Sequence, residues 1–464
     1  MAPMSSHEPD FLGNLRAELS HVRPWLDRGI VLAYATVAGL AVVGFTLLSE
    51  WMFGHFLALQ AFSPWSTLLW TPALTAGVVW CTRRYFPGAA GSGIPQVMAA
   101  LDPALPAGQA TRFVSLRLTL GKIGLSSVGL LAGLSLGREG PSVQVAAGVM
   151  QHAQRWLRPG SGINRHALLV AGGAAGIAAA FNAPLAGVVF AIEELSRKLE
   201  ARNSGLIIAA IVLAGLMGVS FFGNVTYFGV IRVPRLGWDA LLPGLAVALA
   251  CGLLGGLFSR LLIASLTGAP ERVSRWRSRW PVRFAAVCGL GVAVIGLASD
   301  GETFGAGSET VKHMLAGQAE VPPLYVLLKF AATWLTAWSG VPGGIFAPSL
   351  SIGAGVGHNV AQLAGGDIGP ALIAMGMAAF LAAVTQAPLT AFIIVMEMVD
   401  GHAMVLSLMS AAMLASLVSR MVSRSLYATL AEAMVAAVMP APPADPPAPA
   451  PDSISPDAPS AGRG

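Results

Sequence analysis

The chain has 464 residues, of which 55% are hydrophobic and only 11% charged, with a net charge of +5 and a mean hydropathy of +0.68. A soluble domain carries roughly 25% charged residues, so this chain lacks the charge to cover a water-facing surface. Nucleic-acid binders and disordered hubs are excluded on the same count.

The first 28 residues hold no uninterrupted apolar core, so no signal peptide is expected. Phe11, Leu15, Leu19, Val22 and Leu26 recur at helical spacing, which predicts an amphipathic helix on the cytoplasmic membrane surface over residues 1–28. Uncharged runs follow at 29–49 and 368–396. A bilayer core of about 30 Å needs roughly 20 apolar residues per helix, so the chain reads as an all-α polytopic membrane protein. Cys81, Cys251 and Cys288 lie far apart in or beside apolar runs, which fits packing and not a disulfide framework or a metal site.

The chain then repeats itself. Gly137-Arg-Glu-Gly-Pro-Ser142 is echoed 207 residues later by Gly344-Ile-Phe-Ala-Pro-Ser349. Phe181-Asn-Ala-Pro-Leu185 is echoed 204 residues later by Thr385-Gln-Ala-Pro-Leu389. Glu193 and Glu397 each lie ten residues past the Ala of their Ala-Pro-Leu. An internal duplication is the reading, with a first membrane repeat over 29–235 and a second, with the final helix, over 236–436. Residues 437–464, rich in Pro and Ala, are expected to be a disordered tail.

Charge placement predicts that the halves are inverted. The loop at 57–68 carries no charge, whereas its counterpart at 268–283 carries Arg272, Arg275, Arg277, Arg279 and Arg283. The positive-inside rule puts the first outside and the second inside, with both termini cytoplasmic. Inverted repeats are a transporter signature, with the site near the midplane where the repeats meet.

Three Gly/Pro segments interrupt the apolar pattern: Gly91-Ser-Gly-Ile-Pro95, Gly137-Arg-Glu-Gly-Pro141 and Gly343-Gly-Ile-Phe-Ala-Pro348. Pro belongs in the first turn of a helix and Gly permits the tight turn before it. Each segment reads as a helix N-terminus within the membrane, with free N–H groups and a partial positive charge. Three converging ends would bind an anion without holding it as tightly as a full charge would.

Glu139 sits in the middle segment, where an ionised carboxylate would occupy the place an anion wants; it reads as a gate. Of the pair Glu193-Glu194, Glu193 has a repeat counterpart and reads as structural. Glu194 is matched by Met398 and is the candidate proton entry point. Ser92 and Tyr427 offer neutral hydroxyl donors. Lys122 is a charge in an apolar helix and needs a partner.

Together these strings resemble the CLC chloride channel and transporter family over about residues 28–436. The resemblance implies an antiparallel duplicated fold of tilted, partly broken helices, forming a homodimer with one pathway per subunit. It implies an anion held by the hydroxyls of Ser92 and Tyr427 and the backbone N–H groups of Ile345 and Phe346. Glu139 would be the external gate and proton carrier, and Glu194 the internal proton acceptor. The implied activity is chloride/proton antiport, with a passive chloride channel as the alternative. Chloride and protons are the expected partners in a lipid membrane, plausibly the bacterial inner membrane, with no cofactor and no nucleic acid. The cytoplasmic regulatory domains of many eukaryotic members are expected to be missing. An intramembrane enzyme is the remaining reading; the chain is expected to lack both a His-Glu-x-x-His string and a Gly-x-Ser-x-Gly nucleophile elbow.

Overall fold

In a computed structural model, the structure describes residues 22–106, 108–196, 204–223, 226–231, 237–268, 270–318, 321–365 and 368–439. Most of the expected N-terminal amphipathic helix, nearly all of the expected tail, and the basic residues at 197–202 lie outside these. Among the described residues eighteen α-helices form and no strand does. The first repeat contains α1 (Val22–Phe62), α2 (Thr67–Tyr85), α3 (Ile94–Leu101), α4 (Leu116–Leu131), α5 (Glu139–His152), α6 (Arg165–Phe181), α7 (Pro184–Phe190) and α8 (Ser204–Phe222). The second contains α9 (Leu241–Thr267), α10 (Glu271–Arg279), α11 (Pro281–Ala298), α12 (Ser308–Leu315), α13 (Tyr325–Ser339), α14 (Phe346–Ala364), α15 (Gly369–Thr385), α16 (Pro388–Met398), α17 (Val405–Val422) and α18 (Leu426–Ala436).

Among the described residues six helices are long and apolar enough to cross a membrane, and further apolar helices are shorter. With 41 residues, α1 is about 60 Å long at 1.5 Å per residue, so it must lie tilted in a 30 Å core. It runs unbroken from Val22, so the expected boundary after Arg28 falls inside a helix. Asp27 at its start is buried and paired with Arg158 at 3.3 Å. On α9, Leu241, Leu245, Leu249 and Leu253 are exposed. They follow one another at four-residue steps, and the opposite face buries Val247, Cys251 and Phe258. That is a lipid-facing stripe on a helix whose other face packs against protein.

The expected loop at 268–283 is mostly helix: Glu271–Arg279 forms α10, with no buried residue. Its arginines still report topology. Arg277 lies within electrostatic reach of Arg83 at the end of α2. So α2 ends, and α11 begins, on the same side of the molecule. Gly289 of α11 packs on Pro72 and Thr75 of α2. Corresponding helices therefore run in opposite directions, as the charge pattern predicts.

The duplication is visible in detail. Helices α6 and α15 have 17 residues each and stop at left-handed residues, Asn182 with φ 57° and Gln386 with φ 60°. Each is followed by a helix that opens on proline, Pro184 or Pro388. The glycines of the repeat lie where helices touch: a Cβ on Gly172 would fall 2.7 Å from Ala147 Cα, and one on Gly376 would press on the carbonyl of Gly353. Small residues there let backbones approach, which is how helices associate in lipid.

The acidic residues at the ends of the repeats cap each other's helices. Glu193 accepts from the N–H groups of Leu389 (3.1 Å) and Thr390 (2.6 Å) at the start of α16. Glu397 accepts from Leu185 (3.2 Å) and Ala186 (2.7 Å) at the start of α7. Carboxylates satisfy free N–H groups and complement the helix dipole. The structural role expected for Glu193 is therefore present, and it is exchanged between repeats.

Candidate functional site

Each Gly/Pro segment starts a helix within the protein core. The first helical residues are Ile94, Glu139 and Phe346, and each proline lies in the first turn. Backbone hydrogen bonds stitch the three segments together. Gly137 and Gly344 exchange two bonds of 2.8 Å, and Gly343 N–H donates to the Gly91 carbonyl at 3.1 Å. Among the described residues these are the isolated bridges of the fold, Gly137 with Gly344 and Gly91 with Pro342.

The approach is close enough to require glycine. Gly93 has φ 110°, and a Cβ there would fall 2.6 Å from the Gly140 carbonyl. A Cβ on Gly140 would strike Ser92 Oγ. Gly93→Ala combines left-handed strain with a backbone clash, each costing about 1–3 kcal/mol. We expect it to lower thermal stability, measured as the midpoint of unfolding in detergent.

Side chains at and beside this junction have polar atoms left over. Ser92 Oγ, Glu139 Oε2, Ser349 Oγ and Tyr427 Oη are buried and have no hydrogen-bond partner of good geometry. Buried polar atoms are almost always paired, so such a cluster marks a place built for something else. Tyr427 is 1% exposed, so its hydroxyl points into the protein and not to the membrane interface. Its ring lies 5.9 Å from that of Phe346. Helix α18 packs on α3, and this brings the Tyr427 hydroxyl to face Ser92. Ile345 and Phe346 are buried at the start of α14, where the first N–H groups have no acceptor within the helix.

Glu139 is the first residue of α5 and is 1% exposed. Its carboxylate folds back over Gly137 towards Ala347 and Pro348, so it lies between the starts of α5 and α14. Glu139 also lines a cavity of about 650 Å³. That cavity is bounded by Leu57 and Gln60 of α1, on the side of the uncharged loop.

Glu194 is half-buried on a π-helical turn spanning Ala191–Leu195, closed by Ser196 N–H to the Ala191 carbonyl at 2.8 Å. The counterpart α16 stays α-helical through Met398. Among the described residues this is the one π-helical element, and such turns often mark functional sites. The Tyr427 hydroxyl is within electrostatic reach of both Glu194 and Glu139. The structure thus gathers Ser92, Glu139, Ile345, Phe346 and Tyr427 at one junction and leaves Glu194 nearby.

Lys122 finds carbonyl partners. It is fully buried, and its Nζ donates to Ala89 (2.8 Å) and Gly91 (2.6 Å) behind the Ser92 turn. Lys329, 207 residues later, does the same to Thr303 (2.9 Å) and Gly305 (2.8 Å). Gly91 and Gly93 correspond to Gly305 and Gly307, all four with positive φ, and α3 and α12 have eight residues each. Sequence reasoning missed this second turn, although the Lys122 to Lys329 offset equals that of the Gly-x-x-x-Pro strings.

Gly133-Leu-Ser-Leu-Gly137 does have the Gly-x-Ser-x-Gly spacing, against the expectation of none. Ser135 is buried, with its Oγ 2.9 Å from Thr333 Oγ1 and its N–H donating to Thr336 Oγ1 at 3.2 Å. It ties the repeats together and has no histidine partner, so it is no nucleophile elbow.

The comparisons decide the family. A family model described as voltage gated chloride channel matches residues 73–420. The chain belongs to the CLC family. It is 30% identical over 393 residues to the H(+)/Cl(-) exchange transporter ClcA of Citrobacter koseri, covering 80% of each chain. Among solved structures it is similar to a slow cyanobacterial Cl−/H+ antiporter, with a TM-score of 0.76, 24% identity and coverage of 88% of this chain and 98% of that one. A CLC-type fluoride/proton antiporter matches with a TM-score of 0.72, 21% identity and coverage of 87% and 97%. The CLC fold implied by the resemblance of the motif strings is therefore the observed one.

Proposed function

We propose that this CLC protein is a secondary-active antiporter that moves Cl− and H+ in opposite directions. The observation that carries the reading is the Glu139 carboxylate at the junction of three helix starts, with its Oε2 left without a partner, beside the facing hydroxyls of Ser92 and Tyr427. A dehydrated chloride needs hydrogen-bond donors, and the hydroxyls with the N–H groups of Ile345 and Phe346 supply them. These donors carry no full charge, so the ion is held weakly enough to leave.

Glu139 and the anion compete for the same helix-terminal N–H groups. Ionised, the carboxylate takes the anion's place. Protonated, it loses its attraction to the helix ends and yields to chloride. One residue thus answers to both ions, and their movements are tied. Glu194 passes protons to the cytoplasmic side by a route that leaves the chloride path at its inner end. The exchange activity named for the Citrobacter relative supports this reading. We further propose a homodimer in the bacterial inner membrane with cytoplasmic termini.

The test is transport in vesicles under voltage control. A chloride gradient should drive protons against their own gradient, measured as external pH. Chloride flux without proton movement overturns exchange and favours the passive channel.

A further inference from the structure

The cavity above Glu139 is lined by four carboxylates, from Glu50, Asp300, Glu302 and Glu309, and by two cations, Arg138 and Lys312. All four carboxylates belong to exposed residues. Glu50 is paired with Arg138 and Glu309 with Lys312, each at 2.8 Å. Asp300 and Glu302 have no ion-pair partner among the described residues. Glu302 accepts from Thr310 Oγ1 at 2.6 Å, and Lys329 below it, within electrostatic reach, donates to the carbonyls of Thr303 and Gly305. The Tyr227 hydroxyl lies 3.5 Å from Arg138 Nη2 and 3.2 Å from Ser308 Oγ and adds no charge while protonated. The lining is therefore net negative, even when Lys329 is counted as a cation. An anion pathway gains nothing from such a mouth, which repels chloride. The carboxylate at its floor, Glu139, is buried, has one oxygen without a partner and is part of the same lining.

We propose that this vestibule is a proton-collecting funnel in which Asp300 and Glu302 raise the local proton concentration over Glu139 at some cost to external chloride access. The proposal rests on the exchange reading above. One to two net negative charges, acting over about the 8 Å screening length of physiological salt, change local ion concentrations by up to about twofold. The sign is opposite for the two substrates: protons are concentrated and chloride is depleted.

The test is the variant Asp300→Asn/Glu302→Gln in vesicles. Both changes keep shape: Asn tolerates the left-handed backbone of Asp300 (φ 49°), and Gln still accepts from Thr310. The external pH for half-maximal rate should fall by about 0.3 unit, a twofold change in proton concentration. The KM for external chloride should also fall about twofold, with coupling ratio and internal pH dependence unchanged. Raising impermeant salt to about 1 M shortens the screening length to about 3 Å and should give the unmutated protein the variant's pH profile. A purely structural role would change the maximal rate without this opposed pair of shifts. An unshifted profile in the variant, or a salt-insensitive one in the unmutated protein, overturns the funnel while proton movement itself persists. An unmutated protein that moves no protons overturns the exchange reading and the funnel with it.

Discussion

Glu139→Ala is expected to leave chloride flux intact and to reduce coupled proton movement to background. The carboxylate is buried, lines the outer cavity and is the first residue of a helix. Without it, the N–H groups of α5 and α14 remain available to an anion, because they belong to the backbone. The gating competition disappears, and chloride passes whether or not a proton has been bound. Stability should not suffer, since a buried carboxylate with one unpartnered oxygen costs desolvation energy that Ala does not incur. Vesicle flux under a chloride gradient, with simultaneous pH recording, measures both ions at once. Residual proton coupling in Glu139→Ala would place the proton carrier elsewhere.

Glu194→Gln should also stop proton movement, but with chloride flux preserved. Its neighbour supplies the control. Glu193→Gln should retain coupling and lose stability, because Glu193 carries the charged half of two hydrogen bonds to α16. Hydrogen bonds to a charged group contribute about 2 kcal/mol each, and Gln keeps one acceptor oxygen, so a loss of about 2 kcal/mol is expected. Thermal unfolding in detergent checks the second effect and proton flux the first. If the two variants behaved alike, the division of labour between adjacent glutamates would be wrong.

That division was legible because the duplication assigns Glu193 a partner and Glu194 none. The helix starts were legible too, since Gly and Pro have fixed backbone consequences. Other features were not. The string around Tyr427 says nothing of Ser92, and their meeting depends on α18 folding back onto α3. The π turn under Glu194 has no residue code, as Ala191–Leu195 would pass for ordinary α-helix. The vestibule draws on α1, the residue before α5, the turn after α11 and the start of α12. Asp300, Glu302 and Glu309 lie within ten residues, but nothing along the chain announces that tertiary packing sets them with Glu50 over Glu139.

The exchanged caps of Glu193 and Glu397 have an evolutionary meaning. A lone half would leave the start of its own proline-opened helix without a carboxylate, because the helix that carries the acid is the one it must cap in a second copy. Two identical halves related by a two-fold axis would make both contacts at once, each presenting the same surface to the other. The present chain has the geometry of such a pair joined end to end. The paired glutamates record that two-fold symmetry, as do the echoed Gly/Pro and Ala-Pro-Leu strings and the matching lysines Lys122 and Lys329.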